Sequence, residues 1–269
     1  MNKHTPLFLK LGGSLLTDKT GVEAVRADVL ARAAQEIRRA LDDRPGLRLL
    51  LGHGSGSFGH VAGARYGTRQ GVHTPEQWWG FAEVGAAAAR LNGLVMEALR
   101  AAGVPALRLP PSASVVCADG RIASLTLPPV QMALDAGLVP VVFGDVAFDA
   151  RRGGTIVSTE EALVALADEL RPSWLLLAGE TEGVYDLDGA VIPEITPANF
   201  AAVAPALGGS RGADVTGGMA AKVRSMLDLA AAHPHLAMRI FSGLQPDNLR
   251  RALLAPEAAP GTVIRFNHG

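Results

Sequence analysis

Short runs of apolar residues recur along the chain, and most of them end in glycine or in polar residues. Runs of this length are typical of strands that are buried on both faces of a sheet. They predict strands over residues 7–11, 47–52, 138–144, 174–179, 238–243 and 261–266.

Longer stretches between these runs carry apolar residues at helical spacing. They predict helices over residues 25–40, 78–102, 160–170, 219–232 and 244–254. Alternation of strands and helices predicts an α/β fold with a mainly parallel sheet that helices cover on both faces. Ligands of such sheets bind beyond the carboxyl ends of the strands, where several glycine-rich segments of this chain fall.

The length of 269 residues suits one large domain, and the chain has no internal repeat and no long linker. We therefore expect a single domain over residues 1–269. The segment around Arg171 and Pro172 is the position where we expect an N-terminal lobe to meet a C-terminal lobe.

Charge and cysteine content exclude several classes of protein. The net charge of −1 gives no indication of nucleic-acid binding or of a basic membrane-binding surface. No segment approaches the ~18 uninterrupted apolar residues of a membrane span. The single cysteine, Cys117, cannot form a disulfide within the chain, which fits a reducing cytosol. We expect a cytoplasmic protein without nucleic-acid or membrane partners.

Lysine is rare in this chain. Of the 25 lysines and arginines, the only lysines are Lys3, Lys10, Lys19 and Lys222. Where arginine is the default cation, a lysine is a candidate for a compact point charge in a functional site. All except Lys3 fall in or beside stretches that contain glycine.

The first such stretch is LKLGGSLLTDK, residues 9–19, in which a strand carrying Lys10 runs into Gly12, Gly13 and Ser14. Backbone N–H groups of a glycine turn can converge on one anion, and Lys10 can add its charge to the same anion. The alternative is a strand that simply ends in a tight turn.

The second stretch is LGHGSGSFGH, residues 51–60, which follows the next predicted strand. Its small residues and its two histidines predict a loop that a phosphate can approach closely. Two glycine loops of this kind suggest that two phosphorylated ligands meet in one cleft. The alternative is a flexible loop with a histidine that faces solvent.

Two further stretches could hold charged ligands. Asp145, at the end of a predicted strand, could hold a lysine or Mg²⁺, whereas Ser158 and the acids Glu160 and Glu161 are also typical of an ordinary helix start. In ADVTGGMAAKV, residues 213–223, a glycine pair opens a helix that carries Lys222, which is typical of an anion site. The alternative is an N-cap by Thr216 with a lysine that faces solvent. No spacing of cysteine and histidine fits zinc, and we predict no metal ligand from the protein.

Taken in order, KLGGS, HGSGSFGH, GDVAFD, GVYDLDG, DVTGGMAAK and GTVI resemble the amino acid kinase superfamily over essentially the whole chain. Within it, HGSGSFGH and the spacing of Lys10 and Lys19 resemble the isopentenyl phosphate kinase family. The resemblance implies a three-layer αβα sandwich, a homodimer, Mg²⁺ and ATP. It also implies phosphorylation of isopentenyl phosphate to isopentenyl diphosphate, a step of isoprenoid biosynthesis of the mevalonate type.

The resemblance also assigns roles to residues. It implies that residues 1–170 bind the acceptor and residues 171–269 the nucleotide, with Lys10, Lys222, His60 and Glu160 as catalytic residues. The implied nucleotide site consists of Lys10, Gly12, Gly13, Ser14, Lys19, Gly183, Val184, Tyr185, Gly217, Gly218 and Lys222. The implied acceptor site consists of Gly54, Ser55, Gly56, Gly59, His60 and Ser158.

The sequence departs from the family pattern at three places. Ser55 replaces a usual glycine, Glu160 and Glu161 replace a usual Asp-Asp pair, and AGETEGVYDLDG lacks the usual Thr-Asp-Val-Asp opening. The alternatives are fosfomycin kinase, which needs a small polar acceptor site, and a nucleotide-binding sensor or storage protein. An isoprenoid tail needs an apolar cavity, which could be lined by Trp78, Trp79, Phe81, Val84, Val130, Met132 and Leu134, unless these residues are core.

Overall fold

The computed structural model of the protein describes residues 5–18, 20–207 and 218–266. Its strands are β1 (Leu7–Leu11), β2 (Leu49–His53), β3 (Ala106–Arg108), β4 (Val115–Ala118), β5 (Arg121–Leu125), β6 (Val139–Phe143), β7 (Asp145–Asp149), β8 (Gly153–Val157), β9 (Trp174–Gly179), β10 (Glu194–Ile195), β11 (Ala237–Ser242) and β12 (Thr262–Ile264). Its helices are α1 (Gly13–Leu16), α2 (Ala27–Asp43), α3 (Gly56–Tyr66), α4 (Pro75–Ala101), α5 (Pro111–Ser114), α6 (Pro128–Asp135), α7 (Thr159–Leu170), α8 (Phe200–Leu207), α9 (Gly218–Ala232) and α10 (Asn248–Leu254).

The large sheet has eight strands in the order β10-β12-β11-β9-β1-β2-β6-β3. All of its neighbouring strands are parallel except β11 and β12, which are antiparallel. Every strand that the apolar runs predict belongs to this sheet. The prediction of an α/β fold with a mainly parallel sheet is confirmed.

Both faces of the sheet are covered, as the side-chain alternation of β1 demonstrates. Leu7, Leu9 and Leu11 pack with α2, α4 and α10 on one face, whereas Phe8 packs with α6, α7 and α9 on the other. Because successive side chains of a strand point to opposite faces, Lys10 lies on the same face as Phe8. Lys10 therefore lies on the face that α7 and α9 cover.

A second sheet of four strands, in the order β5-β4-β7-β8, was not predicted. Strand β4 alternates between buried and exposed residues, β5 is largely exposed, and β7 begins and ends with aspartate, so none of the three stands out as an apolar run. The hairpin of β7 and β8 is held by Asp149, whose carboxylate accepts N–H groups from Gly120 and Arg152.

The two predicted lobes do not have separate sheets, because strands from both of them pair in one continuous sheet. Strand β9 follows Arg171 and Pro172, and it pairs in parallel with β1, with Leu9 opposite Leu176. The assignment of separate ligands to residues 1–170 and 171–269 stays a prediction.

The segment after β11 is tied to α2 by the buried carboxylate of Glu36. This carboxylate accepts the N–H groups of Asp247 at 2.9 Å and Leu249 at 3.0 Å, so it caps the start of α10. Arg32, one turn before Glu36, donates to the carbonyls of Gly243 and Leu244. None of the helices in the described part of the chain is long and apolar enough to cross a membrane.

Candidate active site

Two glycine loops meet at the carboxyl edge of the large sheet, one after β1 and one after β2. A methyl group on Gly13 would lie 2.6 Å from the amide nitrogen of Gly56, and one on Gly54 would lie 2.7 Å from the amide nitrogen of Gly13. These neighbours are backbone atoms, so they cannot move aside as a flexible side chain would. The two loops are therefore in direct backbone contact, and their amide groups border one cleft.

The hydroxyl of Thr17 fastens the two loops together. It donates to the carbonyl of Gly13 at 2.9 Å and accepts the N–H of Ser57 at 2.9 Å. Thr17 is completely buried. Gly56 has a φ of +51°, and a side chain there would collide with Thr17. The first turn of α3 is thus held against α1.

Lys10 forms an ion pair with Glu160 across this edge of the sheet. The distance between Lys10 Nζ and Glu160 Oε1 is 2.8 Å, and the two side chains are 9% and 47% exposed. Burial acts to raise the pKa of Glu160, but the Lys10 ammonium, helped by Lys222, outweighs burial and holds that pKa below its usual value. Glu160 is therefore a carboxylate at neutral pH, and it holds the ammonium of Lys10 at the cleft.

The start of α7 is placed against β2 by close packing. A methyl group on Gly52 would lie 2.7 Å from the Thr159 side chain and 3.1 Å from the Leu163 side chain. The Thr159 hydroxyl donates to the carbonyl of His53 at 2.6 Å. Lys10 lies opposite Gly52 in the sheet, so the helix that carries Glu160 is set directly over Lys10.

The cleft above these residues has a volume of about 930 Å³. Lys10 and Glu160 lie within its lining, together with both glycine loops and Lys222 of α9. A volume of this size can hold two small ligands side by side. Fixed N–H donors and lysine ammonium groups make this cleft suited to phosphate groups.

Comparison with known proteins identifies the family. A model of the amino acid kinase family matches residues 6–242. The chain belongs to the amino acid kinase family. The resemblance drawn from the motifs is thereby confirmed, and so is the three-layer αβα fold that it implies.

The most similar proteins found include several isopentenyl phosphate kinases. The isopentenyl phosphate kinase of Haloferax volcanii is 44% identical over 263 residues, which cover 96% of this chain and 98% of the relative. That of Methanocaldococcus jannaschii is 32% identical over 269 residues, with 97% and 98% covered. A crystal structure of an isopentenyl phosphate kinase superposes with a TM-score of 0.79 at 31% identity, and the superposition covers 96% of this chain and 99% of that one.

Most residues that the sequence analysis assigned to the site of this amino acid kinase line the cleft. They are Lys10, Gly12, Gly13, Ser14, Gly54, Ser55, Gly56, Gly59, Ser158, Glu160 and Lys222. The hydroxyl of Ser158 also accepts the N–H of Glu161, so it caps α7 while it borders the cleft. Their roles in binding and catalysis stay predictions.

Other predicted residues lie elsewhere or outside the described residues. Gly183, Val184 and Tyr185 follow β9 beyond the lining of the cleft. The side chain of Val184 is buried in the core, and its N–H donates to Thr262. Lys19 and Gly217 lie outside the described residues. Gly218 begins α9, and His60 lies within α3, although its side chain is not described.

Two expectations from the sequence are wrong. The stretch of residues 51–60 is not a loop throughout, because α3 begins at Gly56 and continues past His60. Asp145 does not point to a lysine, because its buried carboxylate accepts the N–H groups of Ser112 and Val146. It thereby holds the start of α5 against β7.

The structure adds residues to the cleft that the sequence analysis did not single out. They include Ser57, Val61, Ala64, Arg69, Gln70, Gly144, Ile156, Thr159, Gly179 and Thr181. Gly144 and Gly179 could have been found, because each marks the carboxyl end of a predicted strand. Arg69 carried no such signal. Its side chain is held by Glu161 at 2.7 Å, more than ninety residues along the chain.

His53, the last residue of β2, is buried completely and stacks on Phe143. Burial lowers the pKa of His53 to about 4. The hydrogen bond to the Gly54 carbonyl acts to raise this pKa, whereas the Lys10 ammonium lowers it further. The ring is therefore neutral at pH 7.

The buried His53 predicts a loss of stability in mild acid. Its pKa is about 6.5 in the unfolded chain and about 4 in the native protein, so between these values the unfolded chain binds more protons. The free energy of unfolding should therefore fall as the pH drops below 6.5, by about 2 kcal/mol from this group down to pH 5. Urea unfolding of the wild type and of His53→Phe at each pH measures this. Equal pH slopes for the two proteins would contradict it.

The ion pair predicts that Glu160→Gln slows turnover more than it destabilises the fold. A neutral amide holds Lys10 less firmly, and misplacement of a catalytic group costs roughly 10- to 100-fold in kcat. Glu169→Gln is the matched control, because it makes the same change at an exposed position of α7 that lies outside the lining of the cleft. If Glu160→Gln left kcat unchanged and caused only a small loss of stability, Glu160 would act only as an acid that favours the start of the helix.

Proposed function

We propose that this amino acid kinase transfers a phosphoryl group from ATP to isopentenyl phosphate, giving isopentenyl diphosphate and ADP. One observation carries the proposal: Lys10 lies where two glycine loops are in backbone contact, and its ammonium is held by Glu160. This arrangement suits two phosphate groups that share one cation. The identity of the acceptor is supported by the isopentenyl phosphate kinases of 44% and 32% identity.

The reaction needs no general base. An oxygen of the acceptor phosphate is already anionic at neutral pH, so it can attack the γ-phosphorus of ATP directly. The bond between that phosphorus and the β,γ-bridging oxygen breaks, and ADP leaves with the electron pair. Catalysis then consists of in-line positioning and neutralisation of charge.

Two anions must approach each other, and their repulsion is the main obstacle. Lys10 of β1 and Lys222 of α9 both line the cleft, and both act to lower the pKa of Glu160. Lys10 is nearly buried, so its charge is poorly screened by water and acts strongly at short range. We propose that both ammonium groups stabilise the charge that develops on the bridging oxygen.

Magnesium would enter this site with the nucleotide. Among the described residues no group of three or more histidine, cysteine or acidic side chains could hold a metal ion. Glu160, the carboxylate at the cleft, is engaged by Lys10. Mg²⁺ often binds through substrate phosphates and water, and when bound it would neutralise phosphate charge.

The end of the cleft beside α3 and β8 is the proposed site for the acceptor's tail. Val61, Ala64 and Ile156 give it an apolar surface, whereas Arg69 and Gln70 add polar groups. The residues of α4 that could have lined it do not: Phe81 and Val84 pack into the core with Val72 and Val146, and Trp78 and Trp79 lie outside the lining of the cleft. Val130 and Leu134 are likewise core residues, and Met132 is exposed.

Further parts of the proposal rest on the family resemblance. Residues 1–170 would hold the acceptor and residues 171–269 the nucleotide, with adenosine near residues 183–185. We also propose that the enzyme is a homodimer in the cytoplasm.

The proposal predicts which acceptor the purified protein uses. With Mg²⁺ and ATP, ADP release should have a higher kcat/KM with isopentenyl phosphate than with fosfomycin, and dimethylallyl phosphate is assayed beside them. A preference for fosfomycin would favour the phosphonate kinase. If none of the three acceptors supported ADP release, the protein would instead be a nucleotide-binding sensor or storage protein.

The proposal also predicts the effect of removing either lysine. Lys10→Ala and Lys222→Ala should each lower kcat by roughly 10²-fold or more with less effect on ATP binding.

His60 is predicted to bind the acceptor and not the nucleotide. It lies in the second turn of α3, and α3 begins at the edge of the cleft. A hydrogen bond to a charged group contributes about 1.5–3 kcal/mol, so His60→Ala should lower kcat/KM for isopentenyl phosphate about 10- to 150-fold. His60→Gln and His60→Asn should retain more activity. If His60→Ala instead weakened ATP binding, the loop after β2 would be a nucleotide site.

A further inference from the structure

A buried polar pair lies directly beneath the loop that follows β2. His53 Nε2 lies 3.0 Å from the side-chain nitrogen of Asn92 on α4, and both residues are completely buried. On its other side, His53 Nδ1 lies 3.1 Å from the carbonyl oxygen of Gly54. None of the reaction steps described above uses either residue.

The partners of His53 determine where its proton lies. The Gly54 carbonyl can only accept a hydrogen bond, so Nδ1 must carry the proton. A neutral ring then has an acceptor at Nε2, which Asn92 satisfies with its amide N–H. Asn92 thereby selects the tautomer of His53 that donates to Gly54.

This arrangement is not explained by stability alone. The side-chain oxygen of Asn92 is buried without a hydrogen-bond partner among the described residues, and an unsatisfied buried acceptor is destabilising. Apolar residues at both positions would avoid that loss. What sets this pair apart is its contact with the loop, because the ring of His53 holds the Gly54 carbonyl.

Holding the Gly54 carbonyl also orients the next N–H group. The carbonyl oxygen and the amide hydrogen of a trans peptide point in opposite directions. With the Gly54 oxygen turned to the buried ring, the N–H of Ser55 is turned away from the core, and Gly54 and Ser55 both line the cleft. We propose that His53, directed by Asn92, is a positioning residue that aims the Ser55 N–H at the phosphate of the acceptor. This inference rests on the proposed function.

The same residue also connects the acceptor loop to the start of α7. The backbone carbonyl of His53 accepts the Thr159 hydroxyl at 2.6 Å, and Glu160 follows Thr159. The ring of His53 thus orients the peptide between Gly54 and Ser55. The backbone carbonyl of His53 anchors the start of α7, the helix that carries Glu160. A substitution of the ring alone leaves the second connection in place.

The test separates stability from positioning with two variants. His53→Phe keeps the stack on Phe143 but leaves Asn92 and the Gly54 carbonyl without their partner, so it should lower both Tm and acceptor affinity. His53→Phe/Asn92→Leu removes both side-chain polar groups and should regain most of the lost Tm. In both variants KM for isopentenyl phosphate should rise about tenfold, while KM for ATP stays within about twofold.

Glu36→Gln is the control for a loss of stability away from the cleft. It weakens the cap on α10, so it should lower Tm and leave both KM values unchanged. Calorimetric titration with isopentenyl phosphate, without turnover, should give the same tenfold difference between the wild type and the double variant.

The inference is overturned if the double variant regains both its Tm and the wild-type affinity for isopentenyl phosphate. It is also overturned if KM for ATP rises as much as KM for the acceptor. Failure of the wild type to release ADP with isopentenyl phosphate contradicts the proposed function instead. In that case the titration still decides, because equal affinity of the two proteins, or binding by neither, overturns the inference.

Discussion

The site depends on the backbone contact between the loops that follow β1 and β2. These strands are direct neighbours in a parallel sheet, so their loops leave the same edge only one strand spacing apart. At that distance Gly13 and Gly56 have no room for side chains. The absence of side chains lets the two backbones meet at the edge of the cleft, and the buried hydroxyl of Thr17 keeps the loops together. A cleft that suits phosphate groups is thus a consequence of sheet geometry combined with small residues.

Lys10 can keep its charge in a nearly buried position because α7 packs on β2 and brings Glu160 to it. A lysine that is only 9% exposed needs a partner, and Glu160 supplies it at 2.8 Å. Glutamate has a longer side chain than the aspartate usual at this position in the family, and the contact with Lys10 is nevertheless made. The reason lies one residue earlier: Thr159 packs on Gly52 and binds the His53 carbonyl, which fixes the start of the helix. The half-exposed carboxylate then spans the remaining distance.

His53 and Asn92 illustrate how local stability and function can oppose each other. A neutral histidine and an asparagine with an unsatisfied oxygen are poor choices for a core, yet they lie at the point where β2 passes into the glycine loop that follows it. Glu36 has the opposite character. It is equally buried, its carboxylate is satisfied by backbone N–H groups, and it lies away from the cleft. The hydrogen bonds of Glu36 are thus complete, whereas those of Asn92 are not.

The sequence by itself determined the central strands, the long helices and most residues of the cleft lining, because those features are local. Apolar runs of five to seven residues identified β1, β2, β6, β9 and β11, and scarce lysines beside glycines pointed to Lys10 and Lys222. Tertiary structure decided what depends on partners distant in the chain. Residues 56–66 contain three glycines and have low intrinsic helix propensity, yet they form α3, which is packed against α4 and tied to Thr17. The pairing of Lys10 with Glu160 joins residues 150 positions apart, and Arg69 reaches the cleft through Glu161. Asp145 faces the start of α5 and not a lysine, because α5 packs on β7. Side-chain periodicity carries no information about such contacts, since they are selected by the packing of whole elements.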